Sequence, residues 1–135
     1  MPKNIIADSS ALIAFISHED QYHGWIAAHA ASLPTPWLTC EPALTEAFYL
    51  LGEKGGLQLK KLLRRHAVVL SFTLDQESES VLALMDKYAD VPMSLADACL
   101  VRMSEVLPDP LVITTDTDFK IYRRHSRQVV PCLIP

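Results

Sequence analysis

Four apolar runs in this chain each stop at a carboxylate just where a helix is set to begin. Asn4-Ile5-Ile6-Ala7 ends at Asp8. Trp37-Leu38-Thr39-Cys40 ends at Glu41, with Glu46 shortly after. Met93-Ser94-Leu95-Ala96 ends at Asp97, and Leu111-Val112-Ile113-Thr114-Thr115 ends at Asp116-Thr117-Asp118. If the strands run parallel in one sheet, these acids share one edge of the molecule. Two carboxylates about 4 Å apart repel by roughly 4 kcal/mol at an effective dielectric of about 20, so several together demand protons or cations. Oxygen-only ligands suit Mg²⁺ or Mn²⁺, which also take water and phosphate oxygens. The pattern points to metal-assisted phosphate chemistry.

Each acid also has a simpler reading. Asp8 can be the N-cap of a helix over 9–17, a role that stabilises by about 1 kcal/mol. Ser94-x-x-Asp97 has capping-box spacing, with the acid favoured by the helix dipole. Asp116 or Asp118 can cap a helix carrying Phe119, Ile121 and Tyr122. Glu46 lies past Pro42, beyond the reach of a cap, among Leu44, Ala47, Phe48, Leu50 and Leu51. Asp97 is flanked by Leu95, Ala96, Ala98, Cys99, Leu100 and Val101. An ionised carboxylate in apolar surroundings costs several kcal/mol unless paired or coordinated, and neither acid has a Lys or Arg beside it in sequence. These two carry the case for a site. His18 and His23 stand near Glu19 and Asp20, but their spacing assigns them to different faces of a helix, as surface or core-edge residues rather than zinc ligands. His29 is placed on the apolar face of its helix.

The elements that must position the acids follow from periodicity. Strands are expected around residues 3–7, 36–40, 68–72, 111–115 and 129–133. Tyr22, Trp25, Ile26, His29 and Leu33 recur at helical spacing, as do Leu44, Ala47, Phe48 and Leu51, and then Val81, Leu84, Met85 and Tyr88. Leu95 to Val106 is apolar almost all round, which marks a buried helix. Strands alternating with helices imply parallel pairing and a three-layer α/β/α sandwich, read as one domain over residues 1–135. Ligands of such sheets bind beyond the strand C-termini, where strand order reverses, and that is the edge the acids occupy.

Composition narrows the function classes. Half of the 135 residues are hydrophobic and 21% are charged, as in a globular chain. The net charge of −4 argues against an indiscriminate nucleic-acid coat protein. It leaves a nucleic-acid enzyme open, because cations bound among clustered acids reverse the local sign. No apolar run approaches the roughly 18 residues of a membrane span, and the N-terminus lacks the apolar core of a secretory signal. Cys40, Cys99 and Cys132 lie far apart in apolar contexts, without metal-finger spacing, and read as buried free thiols of a cytoplasmic protein.

Three stretches carry a resemblance: Ile6-Ala7-Asp8-Ser9-Ser10-Ala11-Leu12-Ile13, Tyr88-Ala89-Asp90-Val91-Pro92-Met93-Ser94-Leu95-Ala96-Asp97-Ala98 and Thr114-Thr115-Asp116-Thr117-Asp118-Phe119, with Thr45-Glu46-Ala47 between the first two. Over roughly residues 3–133 the chain resembles the PIN-domain ribonucleases, and within them the VapC-type toxins of toxin–antitoxin pairs. The resemblance implies a parallel five-stranded sheet of order 3-2-1-4-5. It implies that Asp8, Glu46, Asp97 and Asp116 form an acidic quartet binding Mg²⁺ or Mn²⁺, with Asp118 as a further candidate ligand. Ser10 matches a small hydroxyl residue beside the metal, and Thr114 one that orients the last acid. It further implies a homodimer and a cognate antitoxin whose segment enters the active-site groove.

The expected reaction is hydrolysis of RNA phosphodiesters, with Asp8, Asp97 and Asp116 around the principal ion. Glu46 binds a second ion or helps to position and deprotonate the attacking water. RNA phosphates need cations. Lys60, Lys61, Arg64 and Arg65 form one stripe on a helix whose other face is Leu59, Leu62 and Leu63. Lys120, Arg123, Arg124 and Arg127 form a second, favoured because it is expected to share a helix with Asp118. A solvated face is the plain alternative for either stripe. A phospho-accepting receiver domain lacks its late-strand lysine in residues 128–135, and a dehalogenase-type phosphatase lacks its second acid in Asp8-Ser9-Ser10. A PIN-like module kept only for protein association stays open. Trp25, Trp37, Phe48 and Tyr49 can line association surfaces or the core.

Overall fold

The structure, a computed structural model, describes residues 2–135. Its strands are β1 (Asn4–Ala7), β2 (Trp37–Thr39), β3 (Val68–Leu70), β4 (Pro110–Ile113), β5 (Arg123–Arg124), β6 (Gln128–Val129) and β7 (Cys132–Leu133). Five of them form one sheet in the order β3-β2-β1-β4-β7, every neighbour parallel. With β7 as fifth strand, this is the expected 3-2-1-4-5 order. The helices are α1 (Ser9–Ile16), α2 (His23–Ala30), α3 (Glu41–Arg64), α4 (Leu74–Lys87) and α5 (Leu95–Val106).

Side chains alternate across a strand, and the two central strands show it. Ile5, Ala7 and Ile113 enter one core with residues of α1, α2 and α3; Ile6 and Val112 enter the other with α4 and α5. The chain moves from β1 to β2 to β3 with helices on one face. It then crosses through α4 and α5 on the other face to return beside β1. The reversal leaves a crevice between the ends of β1 and β4. α3 is interrupted at Gly52, whose φ of 69° and ψ of −165° belong to a region that side chains with a Cβ avoid. Cys40 and Cys99 are buried and Cys132 half-buried, all as free thiols.

Three local expectations are corrected. The run over 129–133 is not one strand. Pro131 has no N–H to donate, while its carbonyl accepts from Val112 at 2.8 Å. The chain therefore joins the sheet only at β7, and Gln128–Val129 pairs antiparallel with β5 instead. The helix expected after Asp118 is a single 3₁₀ turn, Thr117–Lys120, followed by that small hairpin. Burial of Tyr122 and the bond from the Arg123 N–H to the Tyr88 hydroxyl, 2.8 Å, hold the chain in its non-helical course. His18 and His23 do not share a helix either, because α1 ends at Ile16. The turn between α1 and α2 stacks their rings with centroids 4.3 Å apart.

Candidate active site

Registry places the central pair. Ala7 faces Ile113 across β1 and β4, so Asp8 and Thr114 leave the sheet side by side. Asp8 is 5% exposed. Its Oδ1 accepts the Ser9 N–H at 2.7 Å, and its Oδ2 accepts the hydroxyls of Thr114 at 2.7 Å and Ser10 at 3.2 Å. Ser10 and Thr114 contact each other at 3.3 Å. The Ser10 hydroxyl also receives the Thr115 N–H, and the Thr114 hydroxyl the Asp116 N–H, both at 3.0 Å. Two hydroxyls thus clamp the first acid to the backbone that presents the last. Burial pushes the Asp8 carboxyl up to about 6; the Thr114 bond opposes this, and the charge of Asp97 adds to it.

Asp97 stands in the first turn of α5 and makes both bonds of a capping box with Ser94, its N–H to the Ser94 hydroxyl and its carboxylate to the Ser94 N–H. The same Oδ2 accepts the Tyr122 hydroxyl at 3.0 Å. Burial raises the Asp97 pKa, the Tyr122 and Ser94 bonds lower it, and the charge of Asp116 raises it again. Asp116 caps the 3₁₀ turn through the Asp118 N–H at 2.9 Å. The cap readings for Asp8, Asp97 and Asp116 are therefore all real, and Asp97 still feels Asp116 and acts on Asp8 through space. Asp118 is half-buried, and its charge acts on the Tyr122 hydroxyl together with those of Asp97 and Asp116.

Glu46 differs from its expected setting. Leu44 and Ala47 turn into the core, but Glu46 lies on the exposed side of α3 with Thr45, Tyr49 and Leu50. Its apolar sequence neighbours are on other faces of the helix, so desolvation does not argue for a metal there. What ties Glu46 to the site is Ser9, whose hydroxyl donates to it at 2.8 Å and lies 3.4 Å from Asp8 Oδ1. Ser9 and Tyr122 are members of the arrangement that the sequence reading did not single out. Ser9 is signalled only by its place next to Asp8. Tyr122 carried no signal beyond its apolar ring.

The second cationic stripe does not form. Arg123 turns its guanidinium onto the carbonyls of Lys120, Ile121 and Tyr122 at 2.8 to 3.1 Å. Arg124 donates to the Ser104 carbonyl and lines a surface hollow with Asp109 and Pro110, at the start of β4 and so at the sheet edge opposite the acids. Lys120 and Arg127 are exposed, the latter beside the hairpin tip where His125 and Ser126 have φ of 48° and 69°. Backbone carbonyls took Arg123 and Arg124 in place of a helical face.

Among the described residues the ion pairs are those of Arg102 with Glu77 and Glu105, so no Lys or Arg compensates Asp8, Asp97 or Asp116. Nor do any three acid, His or Cys side chains among them converge closely enough to cage an ion ready-made. The donor set is nevertheless oxygen-only and open to solvent on the Glu46 side, with a buried carboxylate whose charge nothing neutralises. That chemistry suits a hard divalent cation, which keeps several waters of its own and needs only one or two protein carboxylates.

A family model described as the PIN domain matches residues 5–124. Among curated proteins none matches the sequence. Among solved structures, the chain is similar to VapC20 of Mycobacterium tuberculosis, a toxin that cleaves the sarcin–ricin loop. The identity is 21% and the TM-score 0.77, over 87% of this chain and 94% of that one.

Proposed function

The chain belongs to the PIN domain family, and we propose that it is a metal-dependent endoribonuclease, the toxin of a VapBC-type pair, with residues 1–135 forming one nuclease domain. The observation that carries this reading is the run of uncompensated carboxylates at the β1/β4 crevice, with Asp97 acting on buried Asp8 and Asp116 on Asp97. Asp8, Asp97 and Asp116 are the residues that would hold Mg²⁺ or Mn²⁺, with Glu46 and Asp118 as outer candidates. Such an ion, when bound, lowers the pKa of a coordinated water and offsets charge on the phosphate oxygens.

The chain's own groups prepare that chemistry. Thr114 and Ser10 fix the Asp8 carboxylate, Tyr122 and Ser94 fix that of Asp97, and Ser9 holds Glu46 on the solvent side of Asp8. Glu46 is exposed, and in this reading it orients an attacking water and accepts its proton. The exposed Tyr49 and Leu50 flank Glu46 on α3 and offer an apolar rim for a second copy of the chain or for an antitoxin segment.

The test is cleavage of RNA by the purified protein with and without Mg²⁺ or Mn²⁺, comparing wild type with Asp8→Asn and Asp97→Asn. Each variant is expected to lose at least about a hundredfold in rate, the scale of losing one group that stabilises developing charge. Full metal-dependent cleavage by both variants overturns the site. Absence of metal binding and cleavage in the wild type favours a non-catalytic interaction module. Mapping RNA ends after induction in cells identifies the target.

A further inference from the structure

Beside the acids, on the side of Glu46, the N-terminal ends of α3, α4 and α5 surround an open hollow of about 510 Å³. That volume is within the range of clefts that hold small ligands. Glu46 lines the hollow, and so do Ser94 and Ala96, which lead into Asp97 at the start of α5. Pro42, Leu74 and Leu95 supply its apolar lining, and Leu95 is 38% exposed there. The lining holds no Lys, Arg or His.

Its polar side chains are mostly acceptors. Glu41 and Glu46 are exposed carboxylates without a Lys or Arg partner among the described residues. Thr45 gives its hydroxyl proton to the Glu41 backbone carbonyl at 3.0 Å, so toward the hollow it can only accept. The Ser94 hydroxyl accepts the Asp97 N–H at 3.0 Å, and its own proton is left to donate. A phosphate brings acceptors and negative charge, which this lining repels. A flat neutral group with adjacent donors and one acceptor matches it.

We propose that this hollow seats the nucleobase next to the scissile phosphate, a role that rests on the ribonuclease reading, and that it selects guanine through Glu41. An RNA phosphate held at Asp8, Asp97 and Asp116 brings an adjoining base to Glu46 and the start of α5, where the hollow opens. Guanine presents N1–H and N2–H side by side to one carboxylate, with O6 next to them for the Ser94 hydroxyl. Adenine and cytosine set a ring acceptor beside their amino group, and uracil flanks its one N–H with two carbonyls. Each therefore turns an unpaired acceptor toward Glu41. The ring face packs on Pro42, Leu74 and Leu95, as bases do between apolar side chains. An arginine from a protein partner also supplies donors, but it has no acceptor for Ser94.

Guanosine, which carries no phosphate, is titrated into the full chain in chelator and followed through the methyl resonances of Leu95 and Thr45. Saturable shifts are expected. Adenosine, and inosine without the 2-amino group, should bind at least about tenfold more weakly, the scale of a spoiled bidentate contact. Glu41→Gln, at an exposed position, should remove the preference for guanosine over inosine. With Mg²⁺ or Mn²⁺, the ends cut from a random oligoribonucleotide pool should show guanine enriched at one position flanking the cut. Glu41→Gln should lose that enrichment with kcat retained, and Leu95→Ala should raise KM on the guanine-flanked substrate. Guanosine no tighter than inosine or adenosine, or an unchanged cut-site profile in Glu41→Gln, overturns the subsite and leaves the nuclease intact. Tighter binding of N-acetyl-arginine amide than of guanosine overturns it in favour of a protein partner. A wild type that cleaves no RNA overturns both claims.

Discussion

At Asp8 the two carboxylate oxygens have different neighbours. Oδ1 takes the cap bond from the Ser9 N–H, and Oδ2 takes two hydroxyls from across the crevice. Capping and site-building therefore coexist on one side chain, because a carboxylate oxygen accepts from more than one donor. Asp97 repeats the design, with Ser94 on the capping side and Tyr122 as the cross-link. Tyr122→Phe should isolate the second function. The lost hydroxyl was lowering the Asp97 pKa, so the acid limb of the rate–pH profile should move to higher pH. The rate at the optimum should fall by about tenfold or more, as when a ligand loses its supporting partner. An unshifted acid limb would detach Tyr122 from the chemistry.

Among the elements, α3 runs from the acid edge to a cationic surface hollow. Its first turns present Glu46 beside Ser9, and its last turns present Lys61 and Arg65 to a hollow shared with His18 and His23. Gly52 redirects the helix between them. A Cβ at Gly52 would meet nothing within 4 Å, so the restriction is in the backbone, not in packing. Gly52→Ala should cost about 1–3 kcal/mol in denaturant unfolding, the usual cost of a strained backbone region. A wild-type midpoint would show that the kink relaxes freely. The two cationic stripes illustrate how local context outweighs spacing. The stripe on α3 exists because Leu59, Leu62 and Leu63 turn inward at helical period. The later one fails because orphan carbonyls at the end of a 3₁₀ turn claim Arg123.

For the molecule as a whole, the acid edge sets a pH dependence of stability. Asp8 has a folded pKa raised from 3.8 to about 6, so between those values the folded state holds more protons than the unfolded one. Stability of the metal-free protein then falls as pH rises through that window, the reverse of the usual carboxylate case. The Asp8 contribution is on the order of 3 kcal/mol across it. Denaturant unfolding in chelator at pH 4.5 and pH 7 should show about 2 kcal/mol of this loss, and Asp8→Asn should flatten it. A slope unchanged by the substitution would assign the effect elsewhere. Divalent cations should restore stability at pH 7 in proportion to their occupancy.

The β-branched strands, the helical periods and the acids at strand ends determined the parallel α/β/α sandwich and the edge that Asp8, Asp97 and Asp116 share, because alternation and parallel crossover are local rules with few solutions; the sheet order came from the family resemblance. The capping spacing of Ser94 and Asp97 was legible for the same reason. Exposure of Glu46 was not, since apolar neighbours along a helix say nothing about which face looks outward until the core is built. The hydroxyls of Ser9 and Tyr122, the bond that occupies Arg124, and the joining of Trp37 to Arg65 around one pocket all link residues distant in sequence or on different elements. Contacts of that kind follow from three-dimensional packing alone. The chain therefore announced its acids, and only the tertiary structure decided what holds them and which cations remain free.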